Sequence, residues 1–214
     1  MDTQTNNEQD FLARAYALKN VQDAQDLYNE WSPSYNQYLE LEGYVFPERA
    51  VTTLLKVLSR DTLDHSLNIL DAGCGTGLVG AALARSGARN IDGIDISTGM
   101  LEVAKKSGNY RSLHETDLTK RIGTGDDTYD IVICVGTLTQ GHVGPMVFDE
   151  FVRVVKVGGV VVATITDVVW ETAGFKDKID QLVDSNRVEL VRTDIVGVTK
   201  NTTSGARVLA LRKR

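Results

Sequence analysis

The chain predicts an α/β fold with a doubly wound sheet, and three observations carry that prediction. From residue 67 onward, short apolar runs alternate with helix-like segments, the pattern of a sheet covered by helices on both faces. The run Tyr129 to Val135 is apolar almost throughout, as expected of a central strand in a parallel sheet. The chain then closes on two strand-like runs joined by a loop rich in Thr, Asn, Ser and Gly, which suits an antiparallel pair. At 214 residues there is room for one domain with a full core and none for a separate substrate domain.

Taken in order, the elements begin with Phe11 to Tyr28, where Leu12, Tyr16, Val21, Leu27 and Tyr28 interleave with polar residues as in a helix of imperfect period. Residues before Gln9 are expected to fray. Pro33 and Pro47 punctuate the next stretch. Glu48 to Leu58 resumes as an amphipathic helix with Ala50, Val51, Leu54, Leu55 and Leu58 inward. These N-terminal helices precede the first strand, so residues 1–60 are an addition to a sheet domain at 61–214, the two forming one globular unit.

The sheet domain opens with a strand at Leu67 to Leu70, a helix at Leu78 to Arg85 and a second strand at Asn90 to Ile94. Thr98 to Lys106 follows as a helix with Ser97 as its N-cap. Strands are expected at Tyr110 to Glu115 and Tyr129 to Val135, and a helix at Met146 to Val154 after Pro145. Gly158 and Gly159 turn the chain into a strand at Val160 to Thr166. A last helix, Phe175 to Ser185, leads to strands at Arg187 to Asp194 and Arg207 to Leu211.

Composition narrows the partners. With 29 acidic against 23 basic residues the formal charge is −6, which disfavours a nucleic-acid phosphate backbone as the standing partner. The one basic cluster, Arg212-Lys213-Arg214, reads as a solvated tail. Cys74 and Cys134 have neither metal-ligand spacing nor the pattern of a disulfide framework, so no metal is expected and a reducing compartment is. Met1 to Asp10 is polar and acidic, without a signal pattern, and no apolar run reaches membrane-spanning length. The expectation is a soluble, cytoplasmic protein.

The chemistry centres on Asn68 to Gly77, Asn-Ile-Leu-Asp-Ala-Gly-Cys-Gly-Thr-Gly. Glycines at Gly73, Gly75 and Gly77 let the backbone turn tightly and approach a ligand, and the helix behind them aims its first N–H groups at that ligand. Gly75, Gly77 and Gly80 also satisfy the dinucleotide fingerprint, with Asp95 about 20 residues on as the expected ribose acid. A pyrophosphate, however, would lie beside Asp71 and be repelled. S-adenosylmethionine has no phosphate and carries an ammonium and a sulfonium, which Asp71 would attract. Asp71, Asp95 and Asp117 end three consecutive strand regions. Asp95 would accept both ribose hydroxyls, and Asp117, between Thr116 and Leu118, the exocyclic amine of an adenine.

Across Leu67 to Thr166 these positions resemble the class I S-adenosylmethionine-dependent methyltransferases. The resemblance implies a Rossmann-like sheet of seven strands, the last inserted antiparallel. It implies a glycine loop, Gly73, Cys74, Gly75, Thr76 and Gly77, that holds the methionine end of the donor, and Asp95 at the ribose, with Ile96 and Ser97 also in the cofactor set. Met100, Thr116, Asp117, Leu118, Val135, Gly136 and Thr137 complete the implied cofactor set. Tyr28-Asn29-Glu30-Trp31-Ser32-Pro33-Ser34-Tyr35, Gly93 to Ser97, Met100-Leu101, and Gly136-Thr137 through Gly141 to Pro145 are similar to the Williams-Beuren syndrome chromosomal region methyltransferase-like proteins. That subgroup has Tyr-Asp where Tyr28-Asn29 and Tyr35-Asn36 stand here. By this resemblance residues 1–60 form a lid, and Tyr28, Trp31 and Tyr35 lie on a lid helix where aromatic faces would suit a sulfonium. The alternative is that they are core aromatics that pin the helices to the sheet.

Methyl transfer is an in-line displacement that needs alignment and exclusion of water, with a base only for a protonated acceptor. Of His65, His114 and His142, the last follows the fourth strand on the acceptor side and is the candidate base. That strand ends Cys134-Val135-Gly136-Thr137, not in the Asn-Pro-Pro-aromatic turn of amino-directed enzymes, and no proline precedes Cys134 as in cytosine C5 enzymes. Trp170 and Phe175 are expected to wall the far side. The reading is a methyltransferase acting on an oxygen or nitrogen of a small molecule, a protein acceptor not being excluded. Its rivals are a nicotinamide-dependent oxidoreductase and a non-catalytic module that binds S-adenosylmethionine.

Overall fold

The computed structural model describes residues 11–214, so the expected fraying before Gln9 lies outside the described residues. Residues 11–16 are helical. Then come α1 (Val21–Trp31), α2 (Tyr35–Leu41), α3 (Phe46–Leu58), β1 (Asn68–Ala72), α4 (Leu78–Arg85), β2 (Asn90–Asp95), α5 (Thr98–Lys106), β3 (Ser112–Glu115) and β4 (Tyr129–Leu138). The chain ends with α6 (Val147–Val154), β5 (Val155–Thr166), α7 (Asp167–Thr172), α8 (Phe175–Asp184), β6 (Val188–Gly197) and β7 (Gly205–Lys213).

The seven strands pair in the order β3-β2-β1-β4-β5-β7-β6. β1 runs parallel to β2 and β4, β2 to β3, and β4 to β5. β7 slots antiparallel between β5 and β6, as the closing pair predicts. The order reverses beside β1, and in open α/β sheets the crevice outside the strand carboxyl ends at that point receives ligands.

Each face of the sheet carries its own apolar cluster. One is formed by β-strand residues such as Leu70, Val132 and Val161 with Phe148, Phe151, Phe175 and Ile179 from α6 and α8. The other joins Ile69, Ile131 and Val162 to Val79 and Leu83 of α4 and to Phe46, Ala50, Val51 and Leu54 of α3. α3 is therefore part of the sheet's core, with Leu55 and Leu58 only partly buried at its margin. A third cluster, Phe11, Ala15, Leu27, Trp31 and Tyr38, belongs to the N-terminal helices alone.

Several boundaries differ from expectation for local reasons. The single helix expected over Phe11 to Tyr28 is broken at 17–20, because extended Asn20 starts a new helix by accepting the Asp23 N–H on its side-chain oxygen at 2.9 Å. α2 and the short α7 are absent from the periodicity reading. Gly158 and Gly159 do not precede β5 but form an irregularity inside it. The register passes from Tyr129 opposite Val155 to Ile131 opposite Val160, Gly158 has φ +78°, and a Cβ on Gly159 would stand 2.7 Å from the Asp130 carbonyl oxygen. β1 runs past Leu70, which carries Asp71 onto the same buried face as Ile69. No helix among the described residues is long and apolar enough to cross a membrane.

Because Leu54 is fully buried against the sheet and Leu41 of α2 is 73% exposed, Leu54→Ala should cost about 2–5 kcal/mol and Leu41→Ala no more than about 0.5 kcal/mol in urea unfolding. Equal costs would show that α3 is not part of the core.

Candidate active site

The glycine loop leaves β1 with Gly73, Gly75 and Gly77 all at positive φ, between +53° and +92°, a region other residues reach only with strain. Gly73 is doubly constrained, since a Cβ there would lie 2.2 Å from the Thr137 hydroxyl oxygen of β4. The N–H groups of Gly73 and Cys74 bond the Ile94 carbonyl at 2.8 and 3.0 Å. Asp95, at the end of β2, braces the loop. One carboxylate oxygen accepts the Gly75 N–H at 2.8 Å and the other the Ser97 N–H at 2.9 Å.

Gly73 to Thr76, Asp95, Ile96, Met100, Thr116, Asp117 and Leu118 line one end of a cavity, and Val135, Gly136, Thr137, Tyr28, Tyr35 and His142 continue its wall. These are the sequence-predicted positions that the fold brings together. Asp117 spends one oxygen on the backbone and hydroxyl of Thr119 and pairs through the other with Lys120. Burial opposes its ionisation, but the Thr119 and Lys120 contacts outweigh it and hold the carboxyl below its ordinary range.

Four predicted positions lie elsewhere. Trp31 is 1% exposed and stacks on Phe11 inside the helical cluster, with ring centroids 5.4 Å apart, so it is the core aromatic of the alternative reading. Ser97 is fully buried. Its hydroxyl accepts from the Met100 N–H and donates to Asn29, which makes it a cap. Gly77 faces Tyr110 and Ala104. Asp71 has no exposure and sits behind the loop. Its carboxyl accepts the Tyr110 hydroxyl at 2.7 Å and leaves the other oxygen without a partner.

That placement alters the electrostatic argument made from Asp71. Burial, with Asp95's charge adding and the Tyr110 hydrogen bond opposing, pushes its pKa up to about 7, so near neutrality it is only partly charged. Trp170 and Phe175 do not wall the cavity either. Trp170 lies under the Arg207 guanidinium at 4.4 Å, and Phe175 packs on Phe148 in the core.

Sequence reasoning missed Tyr44, Leu39, Pro47 and Val143, which also line the cavity, and Tyr110, which fills the space opposite Gly80 and Gly93. Tyr44 is carried in by a bridge to Thr199 of the β6–β7 loop.

The contacts of the N-terminal helices with the loop and α5 run through amides. Asn29 accepts from Ser97 and from the Gly99 N–H at 2.7 and 2.9 Å, and Asn36 accepts from the Thr76 hydroxyl. The two departures from the subgroup's Tyr-Asp pattern thus keep an acceptor oxygen at each contact and drop the charge. His142 lies at the far wall, its Nδ1 2.8 Å from the Gln140 carbonyl and its Nε2 2.8 Å from the Tyr28 hydroxyl. Burial lowers its pKa, against the opposing Gln140 carbonyl. His65 and His114 are exposed, and neither lines the cavity. Burial raises the pKa of both thiols, which leaves Cys74 and Cys134 poor nucleophiles.

Asp71 and Asp95 both have carboxyls raised by burial, so between the unfolded value near 4 and the folded one the native state binds more protons than the unfolded chain. Stability should therefore fall as pH rises through that window, for Asp71 up to about 7, with a slope on the order of 1.4 kcal/mol per pH unit for each group. Asp71→Asn should flatten the slope between about pH 5 and 7 in urea titrations; an unchanged slope would place the proton uptake elsewhere.

Residues 70–163 match the family model described as a methyltransferase domain. The human methyltransferase-like protein 27 is 38% identical over 156 residues, 71% of this chain and 62% of that protein. The ubiquinone biosynthesis O-methyltransferase of Sodalis glossinidius is 28% identical over 129 residues, 58% of this chain and 51% of that one. The chain thus spans between half and two thirds of the length of these curated relatives. The crystal structure of a TehB-like SAM-dependent methyltransferase from Corynebacterium glutamicum superposes with a TM-score of 0.63 at 18% identity, covering 87% of this chain and 98% of that one. The chain has the Rossmann-like fold of the class I methyltransferases.

Proposed function

We propose that this chain is an S-adenosylmethionine-dependent methyltransferase acting on an oxygen or nitrogen of a small molecule. One observation carries the reading: the loop end of the cavity offers bent glycine backbone and two carboxylates, Asp95 and Asp117, and Lys120, which pairs with Asp117, is exposed and not part of the lining. That donor set suits a ribose, an amine and a cationic methionine end, and gives a pyrophosphate nothing to pair with. A dinucleotide fingerprint at Gly75, Gly77 and Gly80 loses force because Gly80 makes room for the Tyr110 ring, which a Cβ would meet at 2.3 Å.

Bound there, the cofactor supplies an activated methyl group on a sulfonium, itself a good leaving group. The chain's residues align the acceptor and keep water out. In this reading the Gly73 to Gly77 loop holds the methionine end and Asp95 the ribose. Asp117 takes the adenine amine, while Ile96, Met100 and Leu118 flank the flat base. His142 is the base for a protonated acceptor. The aromatic and apolar wall of Tyr28, Tyr35, Leu39, Tyr44 and Val143 supports a small acceptor, and the name of the Sodalis relative, an O-methyltransferase, supports oxygen.

Within the class we place the chain with the Williams-Beuren syndrome chromosomal region methyltransferase-like proteins, on the pattern at Tyr28 to Tyr35 and Gly136 to Pro145. Residues 1–60 act as the lid on the domain at 61–214. Its movable part is 11–41, since α3 is built into the core of the sheet. Both cysteines are buried free thiols, which supports a reducing, cytoplasmic setting.

Calorimetry and thermal unfolding with S-adenosylmethionine, S-adenosylhomocysteine and NADH test the proposal. Both adenosyl compounds should stabilise the fold by about 2.7 kcal/mol at a hundredfold excess over Kd, and Asp95→Ala should weaken them at least about tenfold, the loss of one charged contact. Stabilisation by NADH alone would make the protein an oxidoreductase. Tight S-adenosylmethionine binding with no turnover of any acceptor would make it an interaction module.

A further inference from the structure

We propose that Tyr28 is the residue that takes the proton from the acceptor and passes it to His142, and that the acceptor is an uncharged hydroxyl compound with an aromatic or apolar body. The inference rests on the methyl-transfer reading above and names its substrate class and its second catalytic residue.

The direction of the hydrogen-bond chain is fixed by its far end. The Gln140 carbonyl can only accept, so Nδ1 of His142, 2.8 Å away, carries the hydrogen. Neutral imidazole then has a bare Nε2. The 2.8 Å contact between Nε2 and the Tyr28 oxygen is therefore a hydrogen bond donated by Tyr28. With its one hydrogen turned toward His142, the Tyr28 oxygen can meet a cavity ligand only as an acceptor, and both residues line the cavity. A hydroxyl compound supplies the missing donor and, once its proton is taken, an oxygen to receive the methyl group.

The proton account balances. The acceptor O–H bond breaks as a Tyr28 O–H bond forms, and the original Tyr28 O–H bond breaks as Nε2–H forms. The acceptor oxygen keeps its electron pair and uses it to form the bond to the methyl carbon, while the pair of the donor's C–S bond stays on sulfur. One positive charge disappears at sulfur and one appears on the imidazolium, whose Nδ1–H remains bonded to Gln140. The enclosed site gains no net charge, which avoids the cost of a new buried ion. The imidazolium then loses its proton to solvent. Tyrosine serves as a carrier, not as a standing phenolate, because burial raises its pKa.

The walls narrow the acceptor. The cavity that Tyr28 lines is also walled by Tyr35, Leu39, Tyr44, Pro47 and Val143, and the one lysine of the lining, Lys19, is exposed. A phosphate or carboxylate at depth would meet no cation, and an ammonium would face the donor's own positive charge. The titratable groups that bear on Tyr28 are Tyr35, Asp95 and Tyr16, with Lys19 beside them in the lining. A pH profile is accordingly read by difference between variants, not from the wild type alone.

The test uses the full chain. Ring-nitrogen NMR with S-adenosylhomocysteine bound should show His142 as the neutral Nδ1–H tautomer at about pH 7.5, and Tyr28→Phe should move the Nε2 signal. An Nε2–H tautomer, or an Nε2 signal unmoved in Tyr28→Phe, overturns the relay. Methyl transfer is then assayed with phenol, 4-nitrophenol, phenyl phosphate and benzylamine. Phenol should be methylated, with kcat lowered about 10²-fold by Tyr28→Phe and by His142→Gln, and the Tyr28→Phe loss should shrink below about tenfold on 4-nitrophenol, which ionises unaided at about pH 8. Equal losses on the two phenols would make Tyr28 structural and overturn the proposal. Transfer to benzylamine or phenyl phosphate alone would overturn it and leave the methyltransferase reading standing. Binding of S-adenosylmethionine with transfer to none of the four would overturn the proposal, whereas the methyltransferase reading falls only if no acceptor is turned over.

Discussion

The carboxylate of Asp95 ties together the glycine loop, the start of α5 and, through Ser97, the N-terminal helices. Through one oxygen it holds Gly75 at the apex of a loop whose glycines all sit in the left-handed region. Through the other it holds the Ser97 N–H, which positions that side chain to cap α5. Ser97 in turn donates to Asn29 of α1. The glycine loop, α5 and the helices above the cavity are thus linked through one acid and its neighbour. Its own backbone carbonyl receives the Thr116 N–H at 2.8 Å, which extends the tie to the strand end beside Asp117.

Underneath that loop the geometry is set by a phenol ring. Tyr110 occupies the space left by Gly80 and Gly93, and its hydroxyl bonds both Asp71 and the Gly80 N–H. Two of the motif's features, the acid before the glycines and the last glycine, therefore serve the packing of α4 on the sheet. Gly73, Gly75 and Asp95 are the ones that line the cavity. A glycine motif and its function need not map residue onto residue, because a missing Cβ can make room for the protein itself as readily as for a ligand.

The alternation of strand and helix was legible because each element buries one face, and burial leaves a period in the residues. α4 and α5 begin and end where their caps and periods predict. The antiparallel insertion of β7 followed from the family resemblance and the polar closing loop. Asp71 was misplaced for a reason of the same kind, read one step short: a strand two residues longer turns a rim carboxylate into a buried one. Trp31 was placed over the cavity by the family resemblance, and Trp170 and Phe175 on residue type; neither says which side of a helix faces which neighbour. Tyr44, Val143 and Tyr110 reach their places through contacts between segments distant in sequence, for which no local pattern exists.

The packing of Trp31 has an optical consequence. The chain holds two tryptophans, one within the N-terminal aromatic cluster and the other at the sheet under Arg207. The indole of Trp31 is enclosed by Phe11, Tyr28, Tyr35 and Tyr38, and its N–H has no hydrogen-bond partner. Any movement that parts these helices admits water to that N–H and shifts the emission of Trp31 to the red, while Trp170 stays in place as an internal standard. The protein thus carries its own fluorescent gauge of how far the cavity stands open.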